Sequence, residues 1–190
     1  MNLFSAASVA GIGIAQRLDK FIILPAKSFG ITMTTYVSQN LGAQRYERIR
    51  AGKRRCLLTA LLVTLSMSGL SFLFARQCVA LFNPEPEVVA TGVAMMHVLV
   101  PMFWVMAVRE IYLGILRGYG YSTVPMILSL IGMVVVRQVF LAVTMSVPEP
   151  DIRNIYYCYP IAWVVTTALL IGYYLLVRCR MAGLSEYRQR

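Results

Sequence analysis

Long uncharged stretches recur along this chain. Ala7–Leu41, Leu57–Ala75, Val88–Val108, Gly118–Val136 and Asn154–Val177 are each dominated by apolar residues, and four of the five contain no Asp, Glu, Lys or Arg. At 1.5 Å rise per residue, about 20 such residues cross a hydrocarbon core of roughly 30 Å. Helices of a water-soluble domain bury one face and need no repeated runs of that length. The pattern predicts an all-α, polytopic membrane bundle with about five transmembrane helices. A closed β-barrel would instead show segments of about ten residues with period-two alternation, and the sequence has none. With 58% of residues hydrophobic and only 14% charged, composition agrees with the bilayer as the principal partner.

The formal net charge of +10 could suggest nucleic-acid binding, but the distribution of charge argues against it. Six of the eighteen basic residues (Arg45, Arg48, Arg50, Lys53, Arg54 and Arg55) sit in one link between the first two apolar runs, and Arg178, Arg180, Arg188 and Arg190 follow the last. The links Asn83–Glu87 and Ser146–Asn154 hold Glu85, Glu87, Glu149 and Asp151 against a single Arg153. Basic and acidic links therefore alternate, as the positive-inside rule requires, and the basic ones attract anionic lipid. The first basic link and the C-terminus fall on the cytoplasmic side. Cys56, Cys78, Cys158 and Cys179 form no CxxC pair, and His97 is the sole histidine. Neither a disulfide framework nor a metal site is expected.

The spans are expected at about 8–41, 57–82, 88–116, 122–145 and 156–177. Pro25 is expected to kink the first helix and Gly42 to cap its end. Pro101 lies inside the third span, and Gly118-Tyr-Gly120 marks a tight turn. Pro148-Glu149-Pro150 makes a short external link. Tyr156, Tyr157, Tyr159 and Trp163 are placed for an interfacial aromatic belt. Met1–Ala6 does not read as a signal peptide. A first span running outside to inside leaves the N-terminus outside, which implies an upstream helix on a longer parent.

Several short motifs then fall in a specific order. Ala10-Gly-Ile-Gly-Ile-Ala-Gln-Arg17, Pro25, Gly30 and Val37-Ser-Gln-Asn-Leu-Gly-Ala43, followed by Glu47-Arg48, resemble the second helix of a lobe in the multidrug and toxic compound extrusion (MATE) family. Pro101, Glu110, Gly114, Leu116-Arg-Gly-Tyr-Gly120, Pro125-Met126 and Arg137 match the next helices, and Tyr159-Pro-Ile-Ala-Trp163 looks like the opening of the last. The family-motif residues are Gln39, Asn40, Gly42, Ala43, Arg117, Gly118 and Gly120. The likeness runs over about residues 7–181. It implies a C-terminal lobe over residues 1–184, lacking its first helix, with a basic cytoplasmic tail at 185–190.

The family implies a multi-pass protein of the bacterial inner membrane, built as a repeat antiporter. It exchanges inward-moving Na⁺ or H⁺, the transported coupling ion rather than a cofactor, for small organic compounds, often cationic. The other readings are a truncated or half-transporter that needs a partner N-terminal lobe, and a lipid or polysaccharide flippase of the same superfamily. No nucleophile–base pair or phosphate loop occurs, so no catalytic residue and no enzyme is expected.

Polar groups deep in a bilayer cost on the order of 2.5–3.5 kcal/mol per charge at mid-helix, so each needs a reason. Glu110, the one acid in the four spans after the first, is the ion-coupling candidate; the structural alternative is an ion pair with nearby basic residues, Arg117 or Arg137. Gln16, Lys20, Lys27, Thr34 and Ser38 lie within about 40° of one another at 100° per residue and form a cavity-lining stripe, unless the lysines snorkel. Arg109 and Arg137 are further cavity candidates that otherwise snorkel or pair. His97 is expected to hydrogen-bond within the bundle. Met95, Met96, Met102 and Met106, with Phe103 and Trp104, either form an adaptable surface for bulky drugs or pack. Gly114, Gly118 and Gly132 permit close helix approach.

Overall fold

The computed structural model describes residues 5–146 and 151–187, the last ten as backbone only. Pro148-Glu149-Pro150, the side chains of Arg178, Cys179 and Arg180, and residues 188–190 of the expected tail lie outside the described residues. The chain is a helical bundle: α1 (Ala6–Gly42), α2 (Tyr46–Leu73), α3 (Ala75–Ala80), α4 (Pro86–Leu99), α5 (Phe103–Gly118), α6 (Thr123–Leu130), α7 (Val136–Met145) and α8 (Arg153–Tyr187). A 3₁₀ turn at Val100–Met102 joins α4 to α5, and a π turn at Ile131–Val135 joins α6 to α7.

Four continuous helical stretches among the described residues are long and apolar enough to cross a membrane: Tyr46–Leu73, Pro86–Gly118, Thr123–Met145 and Arg153–Val177. Their exposed apolar side chains, among them Leu58, Leu62, Leu73, Val139, Val143 and Leu176, form the lipid-facing surface. The fifth helix, α1, is longer still but carries Arg17, Asp19, Lys20 and Lys27. It packs chiefly on α5, α4 and α2. Ser5 begins it: its Oγ accepts from the Ser8 amide at 3.1 Å and donates to Glu87 Oε1 at 2.7 Å, tying α1 to the start of α4.

Three apolar clusters hold the bundle. Ile14, Ile22, Val79, Met95, Met96, Phe103 and Trp163 fill one end. Met33, Val37, Ile111 and Ile115 join α1 to α5. Leu113, Leu116, Leu170 and Val177 join α5 to α8. Close approach of α1 and α5 depends on Gly30 and Gly114: a Cβ on Gly114 would meet the Gly30 carbonyl, and one on Gly30 would lie 2.8 Å from the Glu110 carbonyl oxygen. Gly132 approaches Thr166 of α8 in the same way.

α1 contains Pro25 and is helical on both sides of it. At the end of α1 a local expectation is corrected. Gly42 is its last residue and the left-handed conformation falls on Gln44, at φ 58°, not on the glycine. The Gly118–Gly120 turn forms with Gly120 at φ 90°. Of the expected aromatic belt, Tyr156 and Trp163 point into the core and Tyr157 is exposed. His97 is exposed and stacks on Phe72 at 4.5 Å, with no hydrogen bond to a described residue. Met95, Met96, Met106 and Phe103 are core, while Met102 and Trp104 are exposed.

Candidate transport site

The polar residues fall into a half-buried centre, a nearly buried ion pair and one exposed face. The first centre joins three helices. Tyr159 Oη of α8 accepts from Gln16 Nε2 of α1 at 2.6 Å and from Arg137 Nη2 of α7 at 2.9 Å. The Arg137 guanidinium also lies over the Tyr159 ring, 4.2 Å from its centroid. Local backbone aims these groups. A π turn adds a residue without adding a full turn, so the helix beyond it is rotated by about 100°. Arg137 lies just past such a turn, on the side that faces α8.

Asp19 lies three residues beyond Gln16 on α1, about one helical turn along. It is 7% exposed, and its Oδ1 is fully buried with no hydrogen-bond partner among the described residues. Arg137 Nε is likewise unpartnered. Ala15, Asp19, Ile22, Ala26, Met33 and Val37 are all buried along the packed side of α1, so the acid occupies a core position. An ionised carboxylate there is stable only when a proton or cation neutralises it. Sequence reasoning about the exposed stripe missed Asp19. The signal was present, since it recurs at three- and four-residue spacing with apolar neighbours that must face the bundle.

The second centre is Glu110 with Arg109. Arg109 Nη1 donates to Glu110 Oε1 at 2.7 Å, both side chains being nearly buried at 11% and 12% exposure. The partner is therefore the adjacent residue rather than Arg117, which is exposed, or Arg137, which is held by Tyr159. The Glu110 backbone packs on Gly30. Eleven residues of α1 separate that level from Asp19, about 16 Å of helix.

The expected stripe divides. Lys20, Lys27 and Ser38 are exposed, whereas Gln16 and Thr34 are half-buried, and Thr34 Oγ1 returns a bond to the Gly30 carbonyl at 3.1 Å. Arg17, Lys20, Lys27, Phe21, Leu24 and Phe82 line an open groove of about 580 Å³ beside α1. Among the motif residues, Asn40 Nδ2 bonds the Tyr36 carbonyl at 2.8 Å, and the Gln39 carbonyl accepts from the Ala43 amide at 3.0 Å. Gly118 lies against Thr34 and Val37 of α1. These residues order one end of the bundle, where Lys53 Nζ also sits 4.2 Å from the Tyr174 ring centroid and 4.8 Å from that of Tyr112.

The MatE family model matches residues 1–143. The chain belongs to the MATE family. It is 21% identical over 177 residues to "Probable multidrug resistance protein YoeA" of Bacillus subtilis, covering 93% of this chain and 38% of that protein. It is 27% identical over 142 residues to "Probable multidrug resistance protein YpnP" of the same organism, covering 75% and 32%. It is 30% identical over 124 residues to "Multidrug resistance protein PmpM" of Pseudomonas aeruginosa, covering 64% and 26%. The chain thus spans between about a quarter and two fifths of the length of these curated relatives. MATE membership and the apolar helices together make it a multi-pass membrane protein of a transporter family.

Proposed function

We propose that this chain forms part of a cation-coupled efflux antiporter of the bacterial inner membrane, with its C-terminus in the cytoplasm. Inward movement of H⁺ or Na⁺ drives export of small organic compounds. The observation that carries the reading is Asp19, a buried membrane carboxylate without a partner beside the Gln16–Tyr159–Arg137 network. An ion arriving at Asp19 neutralises it and favours the packed arrangement. Rearrangement that admits water or brings Arg137 closer favours the bare carboxylate and expels the ion. Antiport needs such a two-state carboxylate, whose occupancy biases one arrangement over the other. Glu110 is the second candidate, and its release from Arg109 would have to precede ion binding.

The half-transporter reading has its own support. The exposed face of α1 carries cations and hydroxyls that suit a water-filled cleft or a partner lobe, not lipid. Dye accumulation in an efflux-deficient bacterium tests both readings. The chain alone, Asp19→Asn, Glu110→Gln and the chain joined to an N-terminal lobe are compared after membrane insertion is verified. Loss of efflux in Asp19→Asn with retention in Glu110→Gln supports coupling through Asp19, and the reverse assigns it to Glu110. Efflux only in the joined form makes this chain a half-transporter. Full efflux in both single variants refutes carboxylate coupling in this lobe.

A further inference from the structure

The family resemblance makes organic cations the expected cargo, but the charges of this chain argue for the opposite sign. Resting on the reading of the chain as part of an efflux transporter, we propose that the groove beside α1 binds amphipathic organic anions, an aromatic body carrying a sulfonate or carboxylate. Arg17, Lys20 and Lys27 all line the groove, interleaved with Phe21, Leu24 and Phe82. Among the described residues no acid lines it: Asp19 is turned into the bundle and Glu110 is held by Arg109. The volume of about 580 Å³ suits a drug-sized molecule, with apolar walls and a few placed charges.

Lys27 is exposed fifteen residues before Gly42, about 22 Å along the helix. A cation exposed in the middle of a helix faces water, a partner lobe, an anion or, through its flexible stem, a lipid interface. Three cations around one concave apolar wall produce a focused positive potential, which repels organic cations and concentrates anions. Pro25 lies within the same stretch of α1 and lacks an amide hydrogen, so the Phe21 carbonyl is free of its usual helical partner and can orient a donor on the guest.

A matched pair of xanthene dyes tests the sign of the site. Fluorescein is anionic at neutral pH and rhodamine 6G is cationic, on the same ring system. Fluorescence anisotropy is measured with the full chain in nanodiscs of zwitterionic lipid. Saturable binding of fluorescein, at least tenfold tighter than rhodamine 6G, is expected. Lys20→Gln/Lys27→Gln should weaken it at least tenfold, Lys20→Arg/Lys27→Arg should retain it, and Lys20→Glu/Lys27→Glu should transfer preference to rhodamine 6G. Rhodamine preference in the unaltered chain, absence of saturable binding, or fluorescein binding indifferent to the Gln pair overturns the proposal. So does full displacement of fluorescein by phosphatidylglycerol added to the discs, which would assign the groove to lipid headgroups. Equilibrium binding requires no ion gradient. A chain that binds fluorescein yet supports no efflux even when joined to an N-terminal lobe keeps the anion site and loses the antiport reading, while efflux with rhodamine preference does the reverse.

Discussion

Replacing Gly114 by alanine probes the contact on which the bundle closes. The new Cβ would meet three atoms of Gly30, all backbone: its carbonyl oxygen, its carbonyl carbon at 3.1 Å and its Cα at 3.3 Å. A side chain could rotate away, but backbone cannot, so α1 and α5 must separate. A gap of about 0.5–1 Å forfeits a quarter to a half of each dispersion contact across the seam. Met33, Val37, Ile111 and Ile115 are the side chains that share that loss. Overpacking of this kind costs about 1–3 kcal/mol, against a gain of about 0.8–1 kcal/mol from replacing glycine inside a helix. The net expectation is a loss of about 0–2 kcal/mol. Gly69→Ala in α2 supplies the control: nothing lies within 4 Å of its new Cβ, so it should gain up to about 1 kcal/mol. Unfolding in mixed detergent–SDS micelles, followed by fluorescence of Trp104 and Trp163, reads both variants. Equal stability of Gly114→Ala and Gly69→Ala would refute the close-packed seam.

Glu110→Ala should destabilise by about 3–5 kcal/mol by stranding the buried Arg109, and Arg109→Met/Glu110→Leu should recover most of that loss in the same unfolding assay. Tyr159→Phe removes the acceptor shared by Gln16 and Arg137 and should cost about 1–3 kcal/mol; Tyr159→Leu should cost more because it also removes the ring under Arg137. Glu47→Gln breaks the Arg50–Glu47 pair, whose side chains are 74% and 86% exposed, and should change stability by less than about 0.5 kcal/mol at physiological salt.

The apolar runs made the helices after α1 legible, because a bilayer demands length and apolarity and the sequence displays both. What it did not display is which face of an apolar helix meets lipid. Tyr156 and Trp163 carry the composition of an interfacial belt yet pack inward, since lipid and a protein core accept the same side chains. The partner of Glu110 was hidden for a different reason. Neighbours in sequence point about 100° apart on a helix and are not ordinarily paired, but the long Arg109 side chain spans that angle to Glu110. The π turn that aims Arg137 has no signature in Ile131-Gly-Met-Val-Val135; it is read only from the backbone. Asp19 was legible and overlooked, because attention to the exposed stripe passed over the acid on the packed side.

These two sides of α1 explain why it fails as an ordinary span. The packed side uses Ala15, Ala26 and Gly30 to bring the backbone close to its neighbours, and places one acid among them. The other side exposes Arg17, Lys20 and Lys27 with Phe21, Leu24 and Ile31. A lipid-facing charge near mid-helix costs on the order of 2.5–3.5 kcal/mol, a large share of the roughly 5–15 kcal/mol that separates a folded domain from its unfolded chain. Thr123–Met145, with Met126, Ile127, Leu130, Val134, Val139 and Val143 exposed, shows what a lipid-facing helix of this chain looks like. α1 departs from it in the direction expected of a helix between a protein core and an aqueous cleft. The two sides also differ in charge: one acid, Asp19, is held inside, and the cations Arg17, Lys20 and Lys27 stand exposed on the other side.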